Sequence, residues 1–436
     1  MQELLRGRLR WLLVGWMFAI SATAYLDRVN ISIAGPILQR EFGLSNTQLG
    51  YVFSSFVIGY ALFQIPGGRL VDRYGPRRTL LFATIWWAVF TSITALVPSG
   101  VSGALWILLS VRLALGVGEA VVYPSSNRLV SKWIPTTERG VANGLIFAGV
   151  GIGAGVTPPL VTYIIANYGW HWTFWISAII GLVIGVVWFW IARDEPKQHP
   201  WITAEEIQTI KAGLPAVAIT ASAPALRWTQ LTRSRSVMAM SLSYFAFGYT
   251  AYIYFTWFFI YLTKVRGLDL KSSAIFGMLP FLAMAVGSPL GGWVSDSVTR
   301  RWGRRSGRCV LAAVSMGISA VFLALGPLAS DVRMATLLLA GGAGALYLSQ
   351  SSFWSVSADI SGPSAGVLSG FMNMGNQIGG ALTASLTPIL ANYFGWPFSF
   401  LVTAVLCAMG ALSWLLVDPE RTVGASAVQI AGPAGI

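Results

Sequence analysis

Apolar residues fill long runs of this chain, and polar residues gather in short breaks between them. "WLLVGWMFAISATAYL" (11–26), "TLLFATIWWAVFTSITALV" (79–97) and "WTFWISAIIGLVIGVVWFWI" (172–191) are of this kind. As a helix, a run of about twenty residues rises about 30 Å, the thickness of a bilayer's hydrocarbon core. A transmembrane β-barrel alternates apolar and polar with period two; these runs do not. Runs long enough to span predict about twelve helices. They fall at 11–34, 48–67, 79–98, 103–123, 140–166 and 172–192, then at 237–262, 273–294, 309–329, 333–354, 366–391 and 397–417. The longest polar stretch, 193–236, separates the two sets. Within it, Thr203-Ala-Glu-Glu206 reads as the start of a short surface helix.

The two sets echo each other. "GGRLVDRYGPRRTLL" (67–81) returns as "GGWVSDSVTRRWGRRSGRCVL" (291–311), with Asp72 and Asp296 in register. "TPPLVTYIIANYGWHWTF" (157–174) returns as "LTPILANYFGWPFSF" (386–400), with Gly169-Trp170 on Gly395-Trp396. The expected fold is an all-α membrane protein, with twelve transmembrane helices in two pseudo-symmetric six-helix bundles. The bundles are 1–192 and 237–417, joined by a cytoplasmic linker, 193–236, and followed by a cytoplasmic tail, 418–436. Parallel repeats of this size are a transporter architecture, with substrate near the midplane between them.

Composition agrees. Of 436 residues, 55% are hydrophobic and 10% charged, and the mean hydropathy is +0.66; soluble domains carry about 25% charged residues. The net charge of +13 would suggest nucleic acid in a soluble protein, but here it reports topology. With the N-terminus inside, 22 of 29 Lys and Arg lie in inner segments and five in outer loops. That bias puts both termini in the cytoplasm. The first run is too long for a cleavable signal and is expected to stay as the first span. Cys309 and Cys407 form no disulfide framework or metal spacing, and His171 and His199 fall in expected loops. No metal and no cofactor is expected.

Against this background four residues stand out. Asp27, Arg28, Arg112 and Glu119 are the charges well inside expected spans. Each costs roughly 2.5–3.5 kcal/mol to insert at the bilayer centre. Arg112 and Glu119 are two turns apart on one helix face. By depth along their helices, Asp27 and Arg112 can meet. The structural reading is a pair of buried ion pairs locking helix 1 to helix 4. The functional reading is stronger, because packed leucines would serve stability as well. A buried guanidinium suits a carboxylate through its planar fork. A neighbouring acid takes a proton in one state and holds the Arg in another. Asp27 is then a proton site and Arg28 supports the anion field. Other polar groups fill out a cavity: Tyr60 on helix 2, the aromatics Tyr244, Tyr249, Tyr252 and Trp257 of helix 7, "SQSSFW" (349–354), and Asn373, Asn376 and Gln377 of "FMNMGNQIGG". The aromatics also suit packing or an interfacial belt. The three amides suit hydroxyl-rich substrate, or hydrogen bonds between helices.

"GGRLVDRYGPRR" resembles the loop 2–3 signature of the major facilitator superfamily, and "RLALGVGEA" (112–120) its helix 4 motif. With "YLDRVNIS" and "TERGVANGLI", the chain resembles the anion:cation symporter family over roughly 11–417. That family includes bacterial galactonate, hexuronate and glucarate permeases, sialin and the vesicular glutamate transporters. The resemblance implies proton-coupled symport of organic anions, with protons the coupling ion. It would make Asp27 and Glu119 the proton-titrating acids, Arg112 the main carboxylate ligand and Arg28 a second essential cation. Tyr25, Tyr60 and Asn376 would be substrate contacts, joined by Asn373, Gln377 and Tyr252. Asp72, with Arg73, Arg77 and Arg78, would be a cytoplasmic latch, repeated around Asp296. The insertion "DSVTRRWGRRSGR" puts that second latch in question. "GVGIGAGVTPPL" lacks the Gly-Pro arrangement of drug–proton antiporters, which argues against efflux.

The expected function is import of a sugar acid into a bacterial cell across the inner membrane, by a monomer without nucleic-acid partners. The rival substrate is an aromatic or small dicarboxylic acid. No nucleophile with a base and no cofactor loop suggests an enzyme. A non-transporting nutrient sensor would have no use for two acids and two arginines.

Overall fold

Helices account for nearly all of the described residues. The computed structural model describes residues 7–44, 46–99, 101, 103–214, 228–258, 261–268, 270–361 and 364–423. Parts of the expected linker (215–227), of the tail (424–436), of the seventh span (259–260) and of the N-terminal segment (1–6) lie outside these residues.

The first half comprises α1 (Leu9–Phe42), α2 (Asn46–Tyr74), α3 (Pro76–Leu96), α4 (Ala104–Glu119), α5 (Val122–Trp133), α6 (Arg139–Tyr168) and α7 (Trp170–Ile191). After α8 (Ala204–Gly213) and α9 (Trp228–Arg233) come α10 (Arg235–Thr256), α11 (Leu270–Arg304), α12 (Leu311–Leu325), α13 (Val332–Leu348), α14 (Gln350–Ile360), α15 (Ala365–Phe394) and α16 (Trp396–Ser413). The surface helix expected at Thr203 is α8: the Thr203 hydroxyl accepts from the Glu206 backbone N–H at 3.2 Å.

Among the described residues, eight stretches are long and apolar enough to cross a membrane. The outward surface fits lipid. Leu62, Trp106, Trp190 and Tyr393 are largely exposed there, while Ser351, Ser352, Ser355 and Ser357 are fully buried. A continuous apolar exterior of this kind is not stable in water.

Helix pairing is symmetric. In the first half α1 packs on α6, α2 on α4 and α3 on α7; in the second, α10 packs on α15, α11 on α13 and α12 on α16. The halves meet through α6 on α11 and α2 on α15. The repeat extends to backbone conformation. Gly75 (φ 79°, ψ 157°) and Gly303 (φ 82°, ψ 168°) make the same turn, as do Gly169 (φ 86°, ψ 164°) and Gly395 (φ 85°, ψ 160°). A Cβ disfavours positive φ, so glycine holds these corners in both halves.

Candidate functional site

Two groups of residues at the interface between the halves carry the chemistry. One lies about the charged residues of α1 and α4; the other lies at the end of the bundle where α1 begins, called the base below.

Asp27 and Arg28 sit on α1, and Arg112 and Glu119 on α4. Asp27, Arg112 and Glu119 are each at most 2% exposed. Arg28 Nε donates to both Glu119 oxygens, at 3.1 and 3.3 Å. Its guanidinium lies over the rings of Tyr60 (4.5 Å), Tyr25 (4.9 Å) and Phe56 (5.1 Å). Its Nη1 and Nη2 are buried and meet no acceptor. Arg112 also lies over the Phe56 ring, at 4.9 Å, and its Nε is likewise buried without a partner. Asp27 accepts from the Thr91 hydroxyl at 3.2 and 3.3 Å. Asp27 and Arg112 are both buried and opposite in charge, yet no ion pair joins them within 4 Å. The meeting expected from depth is therefore an attraction across a gap, and the direct pair is Arg28–Glu119. Depth along a helix follows from sequence; rotation about its axis does not.

Arg28 and Arg112 both face a cavity walled by apolar residues including Phe53, Val57 and Ala381. A second, much smaller cavity is lined by Tyr244, Gln350, Asn373, Asn376 and Gln377. The two share Tyr25, Tyr252 and Phe255. The amides are joined to one another and to tyrosines. Asn373 Nδ2 donates to Gln64 Oε1 at 3.2 Å and to the Tyr60 hydroxyl at 3.5 Å. Asn376 Nδ2 donates to Asn373 Oδ1 at 3.4 Å, and the Tyr252 hydroxyl donates to Gln377 Oε1 at 2.8 Å. Thus Tyr25, Tyr60, Tyr252, Asn373, Asn376 and Gln377 converge with the arginines. Asn373 and Gln377 bond between helices, and all three amides line the cavity. Tyr249, by contrast, lines neither cavity.

At the base, Asp72 of α2 accepts from the backbone N–H groups of Gly366 (3.0 Å) and Val367 (2.9 Å), at the start of α15. Asp296 of α11 accepts from Gly140 (2.9 Å) and Val141 (2.7 Å), at the start of α6. Each acid thus sits on a helix N-terminus of the opposite half, where the backbone dipole favours negative charge. The cations differ from expectation. Arg73 and Arg78 are exposed. Arg77 ties α3 to the end of α7: its backbone N–H donates to Asp194 (2.9 Å), and its Nε to the Phe189 carbonyl (2.9 Å). Asp72 is instead approached by Arg128 of α5, at 3.7 Å. In sequence the loop arginines lie nearest Asp72, but the tight turn at Gly75 carries them away from it. Asp296 is bound by Arg308 at 2.7 Å. The inserted segment is taken up by a π-helical turn, Arg305–Val310, which returns Arg308 to the acid. Whereas those two ion pairs each lie within one half, Arg139–Asp359, at 2.5 Å and fully buried, joins the two. Sequence reading missed Arg128, Arg139, Arg308 and Asp359 because each looks like an ordinary loop charge. The signal available was register: Gly140-Val141 and Gly366-Val367 are equivalent positions, and Arg139 stands immediately before the first.

Apolar helices enclosing a charged cavity, closed at one end by paired contacts between repeated halves, define a membrane transport protein. The chain belongs to the Major Facilitator Superfamily, which it matches over residues 17–384 and 298–435. It is 34% identical over 422 residues to "Probable sulfoacetate transporter SauU" of Cupriavidus necator, covering 96% of each chain. It is 30% identical to the hexuronate transporter of Bacillus subtilis, covering 91% of this chain and 92% of that one. It is 29% identical to the D-galactonate transporter of Escherichia coli, covering 96% and 98%. The proton:xylose symporter XylE, solved with 6-bromo-6-deoxy-D-glucose, shares the fold with a TM-score of 0.76 at 16% identity, covering 94% of this chain and 97% of that one. This is a multi-pass membrane protein of a transporter family. Among the described residues, no cluster of His, Cys, Asp and Glu is able to hold a metal.

Proposed function

We propose that this protein is a proton-coupled symporter that imports an organic anion, foremost a sugar acid, by alternating access. The observation that carries the reading is Arg28. Its Nε is held by Glu119, and its other two nitrogens are buried, unpaired and turned to a cavity. A guanidinium in that condition recruits a carboxylate bidentately. Protonation of Glu119 removes the competing anion and frees Arg28 for substrate; departure of substrate returns Arg28 to Glu119. Asp27 and Arg112 form the second acid–base couple in the same field. As drawn, the four charges sum to zero, and each proton taken up leaves room for one substrate charge. Tyr25, Tyr60, Tyr252, Asn373, Asn376 and Gln377 act as substrate contacts.

The reading takes the chain to have twelve spans. The stretch 275–328 is long enough for two crossings, and α2, α10 and α15 add three whose polar faces lower their mean hydropathy. The units are the bundles 1–192 and 237–417, with the linker 193–236 and tail 418–436 on the cytoplasmic side of a bacterial inner membrane. A monomer suffices for transport. Asp72 and Asp296, with Arg128 and Arg308, latch the cytoplasmic end, so the cavity serves the outer face in this conformation. Arg73 and Arg78 keep only a supporting electrostatic role in that latch, and Arg77 braces it through α7.

Relatives named for hexuronate and galactonate transport support a hydroxylated acid. A second reading, a small dianionic acid, is favoured by the apolar walls around the arginines and by the relative named for sulfoacetate. The test is uptake by purified protein in liposomes, with and without an inward proton gradient, using galactonate, gluconate, glucuronate, glucarate, sulfoacetate and benzoate. Gradient-driven accumulation of a hydroxylated acid is expected. Accumulation of sulfoacetate alone would select the second reading, and no uptake of any acid would sink both.

A further inference from the structure

Helix α3 lines neither cavity, yet one of its side chains reaches the charged group. Four buried threonines lie along it. Thr79, Thr84 and Thr94 each donate to a nearby carbonyl of the same stretch of chain, those of Gly75, Leu81 and Phe90. That is the ordinary use of a hydroxyl on a helix. Thr91 donates instead across to α1, to the Asp27 carboxylate. The packing fixes its level. Ala24 of α1, Trp87 of α3 and Leu115 of α4 share one buried cluster with Phe56. Asp27, Thr91 and Arg112 each stand about one turn further from the base on the same three helices, so they occupy one layer. Within that layer Asp27 is bonded to the hydroxyl of α3 and not to the guanidinium of α4. Arg112 keeps a buried, unpaired Nε and faces the cavity, whereas Asp27 does not line it.

Resting on the symporter reading above, we infer that Thr91 is a positioning residue: its hydroxyl holds the Asp27 carboxylate on α3 and so keeps Arg112 open for the substrate anion. The other titratable groups about Asp27 are few. Arg28 and Tyr25 lie on its own helix, and Arg112 and Glu119 on α4. Tyr60 comes from α2, and Tyr123 from α5, where it bonds Ser21 nearer the base. The helices α3, α6 and α7 carry theirs near their ends. Two of these groups are cations, and Arg28 is already held by Glu119. A released Asp27 therefore turns to Arg112 and occupies it in the substrate's place. A hydroxyl suits the task in both states of the acid: it donates to the carboxylate, and it accepts from the carboxylic acid once Asp27 is protonated.

The test is counterflow exchange by the full-length protein in liposomes, with the same pH on both sides. It reads apparent affinities for the panel of acids above, galactonate to benzoate. Thr91→Val keeps the branched shape and removes the donor. At alkaline pH it is expected to weaken every exchanged acid about tenfold against the unaltered protein, the size of one hydrogen bond to a charged group. At acid pH, where a protonated Asp27 no longer competes for Arg112, the two proteins are expected to converge. Thr91→Ser keeps the donor and should stay close to the unaltered protein throughout. No loss in Thr91→Val, a loss of the same size at every pH, or a Thr91→Ser variant as weak as Thr91→Val would each overturn the positioning role while the symport reading stood. If the unaltered protein exchanged no acid of the panel, both would fall.

Discussion

Arg28 and Glu119 show how a single residue's environment sets its use. Glu119 holds one nitrogen of Arg28 and leaves two free, so the acid is both partner and competitor. Glu119→Gln is expected to keep substrate binding and counterflow exchange but to lose pH-driven accumulation. Both are read in the same liposomes, and accumulation against a gradient by the variant would refute the coupling role. Arg28→Ala and Arg112→Ala are expected to abolish binding. Arg28→Lys keeps the charge but not the fork, and should weaken binding roughly tenfold or more. At this scale much was legible. Charges inside apolar spans are expensive enough to announce themselves, and Asp27, Arg28, Arg112 and Glu119 were found that way. Their pairing was not legible, because it depends on how α1 and α4 are rotated against each other.

The telling contacts between elements are backbone ones. At the α2–α15 crossing, a Cβ added to Gly68 would fall 2.3 Å from the Gly366 carbonyl oxygen. Gly68→Ala therefore forces the helices apart where Asp72 sits on the start of α15. The expected result is a base that opens more readily. Ser357 reports it: the residue is buried at the base and accepts from Asn127 at 3.2 Å. In a background lacking Cys309 and Cys407, Ser357→Cys should react slowly with a thiol reagent, and faster once Gly68→Ala is added. An unchanged rate would mean the crossing does not govern access. Sequence repeats located both acids at the base, but not their cations. The arginines of the first loop lie closest to Asp72 along the chain, yet Arg128 comes from α5 and Arg308 from the π-helical turn after α11, and only packing brings them there.

For the whole molecule, the link between the halves is itself anchored. Glu206 of α8 accepts from the backbone N–H of Leu9 (3.3 Å) and of Arg10 (3.1 Å), and from Arg10 Nη1 at 3.2 Å. Arg10 also pairs with Glu138 at 2.9 Å. The linker helix α8, the turn before α6 and the start of α1 are thereby joined in one largely buried cluster. Glu206→Ala strands two backbone donors and removes one of the two carboxylates on Arg10, and is expected to cost about 2–3 kcal/mol. A lower melting temperature in detergent, with Glu205→Ala as the exposed control, is the measurement. Equal melting temperatures would refute a structural role for this cluster.

Sequence by itself determined what depends on composition along a line. It gave the apolar spans, the inside–outside bias of Lys and Arg, the internal repeat, the short helix at Thr203, and the four charges that a bilayer would otherwise exclude. These follow from the free energy of moving each segment or charge from water to hydrocarbon, which is a local property. Tertiary structure alone decided which charges touch, which cations serve Asp72 and Asp296, and that the polar interior divides into a charged cavity and an uncharged one. Those outcomes turn on helix rotation and crossing, set by the packing of many side chains at once, and no single stretch of the chain encodes them.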